Sequence, residues 1–167
     1  LKNKMQASRR HPVMNRFLFA GLILALLFCA GAARAAEASS AKQYDKVRAI
    51  YFAFKADPKK KQFRHDWIQV IARFQTFLKA NKESKQACRA AYTEAELWRG
   101  LYDVSRVNAD IRHAFSAYEV AEEACRGTTL ADDALWQQVV ITAKRKTRYP
   151  EATELAERLV QDFPVSD

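Results

Sequence analysis

The stretch Thr128 to Trp136, Thr-Thr-Leu-Ala-Asp-Asp-Ala-Leu-Trp, recurs in pattern 44 residues upstream as Ser84-Lys-Gln-Ala-Cys-Arg-Ala-Ala-Tyr92. In both, a hydroxyl residue precedes small residues in register, Ala87 with Ala131 and Ala90 with Ala134, and an aromatic closes the unit at Tyr92 or Trp136. A second pattern accompanies the first. Val70, Phe74 and Phe77 are spaced four and three apart, and Ala114, Tyr118 and Ala121 repeat that spacing 44 residues on. Ala152, Ala156 and Leu159 repeat it after 38 more. Small residues alternating with large ones at helical spacing, at a period near 40, mark stacked helix pairs. The expected fold is all-α, a tetratricopeptide-like array of about three antiparallel helix pairs (an α-solenoid) following a signal peptide.

The pairs can be placed along the chain. Tyr44, Val47, Tyr51 and Phe54 lie on one face of a first helix, which Asp57-Pro58 ends. Trp67, Val70 or Ile71, Phe74 and Phe77 or Leu78 make the stripe of a second, over about 66–79, and Ser84 is read as the cap of a third bearing Ala87, Ala91, Ala95, Trp98 and Tyr102. Gly100 inside that helix costs about 1 kcal/mol of helix propensity, which close packing would offset. Asp110 is read as the cap of the fourth, with Ile111, Ala114 or Phe115, Tyr118, Ala121 and Cys125 inward. Gly127 stops it, and Thr128 or Thr129 caps the fifth. Asp132 and Asp133 in the fifth helix's first turn, with Lys144, Arg145, Lys146 and Arg148 at its end, complement the helix dipole. That explains the aspartates better than acid–base chemistry does. Pro150 opens the sixth helix and Phe163-Pro164 ends it; Trp67, Trp98 and Trp136 are expected to fill the space between pairs.

The net charge of +9 suggests a nucleic-acid partner until its distribution is considered. Six of the 28 Lys and Arg, and none of the 19 acids, lie in residues 1–35, which leaves 22 bases against 19 acids in residues 36–167. A sustained basic surface for phosphates is therefore not expected. Residues 1–35 read as a leader: a start at Met14, Arg16, an apolar run from Phe17 to Cys29, and Ala33-Arg34-Ala35 as the cleavage site. The run falls short of the roughly 20 apolar residues of a spanning helix, with an uncleaved anchor as the alternative. The mature chain, residues 36–167, is expected in the periplasm, without a membrane span.

An exported chain keeps disulfides. Cys88 begins the third helix and Cys125 ends the fourth, so an antiparallel hairpin brings them together. The expectation is a Cys88–Cys125 disulfide, against two buried free thiols. Lys59, Lys60, Lys61 and Arg64 form a basic cluster. It reads either as a contact patch for an anionic lipid, wall carboxylates or an acidic partner, or as a solvated loop.

The run Ile50 to Trp67, Ile-Tyr-Phe-Ala-Phe-Lys-Ala-Asp-Pro-Lys-Lys-Lys-Gln-Phe-Arg-His-Asp-Trp, resembles the opening of the N-terminal tetratricopeptide-like region of some bacterial N-acetylmuramoyl-L-alanine amidases. Leu130-Ala-Asp-Asp-Ala-Leu135 and the closing Asp162 to Asp167 resemble its repeat boundaries, so the likeness spans Tyr44 to Asp167. It implies a non-catalytic docking module of an exported peptidoglycan hydrolase, positioned by an envelope protein or by the wall itself. It also implies a zinc held by two His and a Glu in a further catalytic domain. The mature chain offers only His65 and His113, far apart and without a metal-binding partner set, so no catalytic residue, metal or cofactor is expected here. The chain stops where a seventh helix would start and reads as truncated. A stand-alone periplasmic adaptor for envelope assembly or secretion is the alternative. The ligand, the groove residues and the oligomeric state are not legible.

Overall fold

A computed structural model describes residues 36–144 and 148–164. The leader, Arg145 and Lys146 of the expected basic helix end, and residues 165–167 lie outside it. Residues Ser39–Asp167 group as one compact unit.

Six helices occur among the described residues, with no strand. The first, α1, is continuous over residues 36–56. Asp57 Oδ1 then accepts from the backbone amides of Lys59 at 2.9 Å and Lys60 at 3.3 Å, capping a short 3-10 turn, Lys60–Gln62. α2 is Arg64–Ala80, α3 Ala87–Ser105, α4 Asn108–Ala124, α5 Thr129–Ala143 and α6 Tyr149–Asp162.

Two of the expected helix caps are corrected. Ser84 does not cap α3: it sits in a turn, its carbonyl accepting from the Ala87 amide, and Gln86 holds the cap position. Asp110 does not cap α4 either, because the helix begins two residues earlier and Asp110 faces inward from its first turn. The α3–α4 connection is only Arg106-Val107, and Arg106 closes it in the left-handed region at φ 56°. Thr128 caps α5, its Oγ1 accepting from the Leu130 amide at 3.3 Å. Gly127, at φ 81°, supplies the reversal that a side chain would resist.

The helices alternate in direction. At the end of α1, Phe54 meets Trp67 at the start of α2 edge-on, ring centroids 4.8 Å apart, while Tyr44 meets Phe77 near the other ends. Trp67 in turn lies on Gly100 near the end of α3. The starts of α2 and α4 meet through Arg64 and Asp110, and the ends of α4 and α6 through Glu122 and Arg158. Each helix from α2 onward packs mainly on its sequence neighbours.

Small residues make these contacts close. Ala90, Ala91, Ala95, Ala114, Ala121 and Ala134 are at most 1% exposed. The large side chains that interlock among them are Ile71, Phe74, Leu97, Leu101, Tyr118 and Leu135. α5 is buried around most of its circumference, from Ala131 through Leu135 to Thr142, since α4, α6 and the edge of α3 all touch it. α6 buries only Ala152, with Leu155, Ala156 and Leu159 half-buried on the same side. Trp67 and Trp98 fill space between helices as expected, but Trp136 does not: it is 51% exposed.

Candidate docking face

The outward side of α3 carries Arg89, Tyr92, Glu96 and Arg99, spaced three, four and three apart. That spacing sets them in one row on a helix, opposite the inward Ala87, Ala91 and Trp98. α1 flanks this row on one side: Arg89 lies within electrostatic reach of Tyr44, and Glu96 of Tyr51. α5 flanks it on the other, with Asp132 and Asp133 within reach of Tyr92. The row thus lies between α1 and α5.

Three of its side chains, Tyr92, Glu96 and Arg99, have partners in the fold. Glu96 accepts from the Tyr118 hydroxyl, which rises from α4, and from Arg99 Nη2 at 2.8 Å. Tyr92 meets the Tyr118 ring edge-on at 5.9 Å. Burial, reinforced by the Glu96 and Asp133 charges, pushes the Tyr92 phenol up to about 12. Burial and the bond to Glu96 push Tyr118 up as well. Both phenols are therefore neutral donors at physiological pH. On the far side of α3, Glu94 accepts from Gln75 Nε2 at 2.8 Å and Trp98 Nε1 at 3.3 Å, while burial raises its carboxyl above the usual range.

Of the basic cluster, Lys59 and Lys60 are exposed and Lys61 is half-exposed, its carbonyl accepting from Trp67 Nε1 at 2.9 Å. Arg64 is exposed as well, and its guanidinium is bonded to a buried partner. Its Nη2 lies 2.6 Å from Oδ1 of Asp110, whose side chain is fully buried and also accepts from Ser105 Oγ at 2.6 Å. Burial alone would raise the Asp110 carboxyl, but the bonds from Arg64 and Ser105 outweigh it and hold the group below its ordinary value. A depressed carboxyl stabilises the fold above its unfolded pKa, 3.8, and that contribution is lost as pH falls through the lower folded value. The stability difference between the native protein and Asp110→Asn is thus expected to be complete above about pH 5 and to shrink below about pH 4; urea melts across that range measure it. A difference that grows on acidification would contradict the arrangement.

Cys88 and Cys125 are joined in a disulfide, Cα atoms 4.6 Å apart, between the start of α3 and the end of α4. His65 stacks on Phe63 and lies 3.4 Å from Asp66, and His113 lies on Trp98 at 4.6 Å between centroids. The two histidines have separate aromatic partners on separate helices, and no group of three or more His, Cys, Asp and Glu among the described residues is placed to hold a metal. These residues do not fit the zinc set that the resemblance implies for a catalytic domain. No helix among the described residues is long and apolar enough to cross a membrane. No protein family, curated protein or solved structure matches this chain.

Two open grooves mark the described surface. One, of about 840 Å³, runs between the end of α2, the start of α3 and the second half of α4, over Leu78, Ala87, Ala91 and Val120. The other, of about 730 Å³, lies where the α4–α5 turn meets the end of α6, and its rim carries Glu122, Glu123, Asp132 and Asp162. The sequence reading named Tyr92 as part of the repeat but missed Glu96 and Arg99. Their spacing from Arg89 and Tyr92 was the available signal, and the buried alanines of the same helix overshadowed it.

Proposed function

We propose that this chain is a non-catalytic docking module of the cell envelope, its helices stacked as three pairs in a tetratricopeptide-like array. The observation that carries this reading is the row Arg89, Tyr92, Glu96 and Arg99. It sets one aromatic among three charged groups along α3 between α1 and α5, and Tyr118 supports Tyr92 and Glu96 from below, with Arg99 bonded to Glu96. Pre-positioned side chains lose little freedom on binding, which favours recognition of an extended partner. The setting we favour is the front end of an exported cell-wall amidase, where the module brings a separate zinc domain to the wall or to an envelope protein. The likeness of Ile50 to Trp67 to that group supports this setting, and the Cys88–Cys125 bond suits an oxidising compartment.

A photo-crosslinking side chain placed at Arg89 tests the proposal, with the same group at Arg73, exposed on α2, as the control. The expected result is a discrete adduct with peptidoglycan or one envelope protein from position 89 and none from position 73. Equal labelling from both positions, or none from position 89 together with no retention on purified sacculi, would overturn it.

A further inference from the structure

Trp136 stands 44 residues after Tyr92 in the same small-residue register, yet the two aromatics meet different surroundings. Tyr92 is half-buried, with Tyr118 against its ring and the start of α5 beside it. Trp136 is 51% exposed and Val160 on α6 is 72% exposed. With Leu159, Phe163 and Pro164 they line an open crevice of about 400 Å³. The register shows what that position accommodates inside the fold: the flank of a further helix.

We propose that the helix seated there is α1 of a second copy, so that copies of this chain associate head to tail. α1 turns Tyr44, Val47, Tyr51 and Phe54 to its own core, which leaves Lys42, Lys46, Ala49, Phe52 and Ala53 exposed on its opposite side. Phe52 there is 52% exposed, and the two alanines let a bulky indole approach the backbone. Charge selects this partner. α1, residues 36–56, carries four bases, Lys42, Lys46, Arg48 and Lys55, against Glu37 and Asp45, and Asp57 with Lys59, Lys60 and Lys61 follows it. α5 and α6 themselves carry six acids against one base, Arg158, which Glu122 already holds; the sequence between them adds Lys144, Arg145, Lys146 and Arg148, the last paired with Glu151 at 2.8 Å. The first helix and the last two are thus of opposite sign, which attracts unlike ends of two copies and repels like ends. Such a contact joins two different surfaces and leaves one of each unused, so association continues beyond a dimer. It is also weakened by salt.

The test is sedimentation of the protein purified as its producing cells process it, over about 1–500 μM, a range that spans weak to moderate self-affinity. Weight-average mass is expected to rise with concentration and to fall back toward the monomer in about 1 M salt, where charges are screened within about 3 Å. Trp136→Glu closes one surface and Lys46→Glu with Ala49→Glu the other. All three positions are exposed, and unchanged far-ultraviolet spectra and melting curves verify that the variants fold. Each variant alone is expected to stay monomeric, while an equimolar mixture forms a one-to-one dimer and nothing larger, because each supplies the surface the other lacks. A native protein that remains monomeric throughout would overturn the proposal. So would association untouched by either variant, a dimer formed by one variant alone, or a mixture that fails to pair.

Discussion

Removing the disulfide with Cys88→Ala and Cys125→Ala is expected to lower the unfolding free energy by about 4 kcal/mol. The bond closes a loop of 37 positions, and the chain-entropy relation converts that length into about 4 kcal/mol at 25 °C. The effect arises mainly in the unfolded chain, which regains the conformations that the crosslink forbids. Alanine is the right replacement at position 125 because the side chain there is fully buried, and a serine hydroxyl would add a desolvation cost of its own. Urea titration of the oxidised protein and the double variant measures both midpoint and slope. A steeper slope is expected for the variant, since its unfolded state exposes more surface. A loss under about 1 kcal/mol with an unchanged slope would mean that the unfolded chain keeps α3 and α4 together without the bond.

The second large effect is expected where Trp67 covers Gly100. Trp67 is 6% exposed, meets Phe54 edge-on and donates its indole N–H to the Lys61 carbonyl. Trp67→Ala is expected to cost about 3–5 kcal/mol, through lost burial and the cavity left behind. Gly100→Ala is expected to cost about 1–3 kcal/mol by overpacking, although alanine by itself favours a helix by about 1 kcal/mol. A Cβ at position 100 would stand 2.7 and 2.8 Å from two atoms of the Trp67 ring, and Phe54 and the bond to the Lys61 carbonyl hold that ring from its other sides. The double variant decides the mechanism. Without the indole the new methyl meets no obstacle, so the combined loss should fall short of the sum of the single losses by about 1 kcal/mol or more. Thermal or urea unfolding of the four proteins gives that coupling. A neutral or stabilising Gly100→Ala would show that the ring does not press on this helix.

The glycine illustrates how a local anomaly in sequence becomes a contact. A glycine within a helical pattern signals close approach, but the approaching group could not be named, because Trp67 lies 33 positions earlier on another helix. Asp110 shows the opposite outcome. An aspartate near a helix start reads as a cap, yet here the two-residue Arg106-Val107 turn starts α4 earlier and aims the carboxylate at Arg64 and Ser105. The same pairing gives Arg64 a buried partner, while Lys59 and Lys60 are exposed beside it. Trp136 was misplaced for a further reason. The repeat makes it equivalent to Tyr92, but burial depends on what packs beyond α5, and a residue's register carries no information about its neighbours in space.

The sequence by itself determined the helical class, the position of each helix to within a few residues, and which cysteines an antiparallel hairpin would bring together. All three rest on local physics: apolar spacing of three and four, glycine and proline at breaks, and hydroxyl or acidic residues at helix starts. Only the tertiary structure decided which side chains share a node. Arg64 finds Asp110 across 46 positions and Tyr118 finds Glu96 across 22. Such partnerships depend on how helices are rotated against one another, and many packed residues set that rotation together rather than any single stretch of chain.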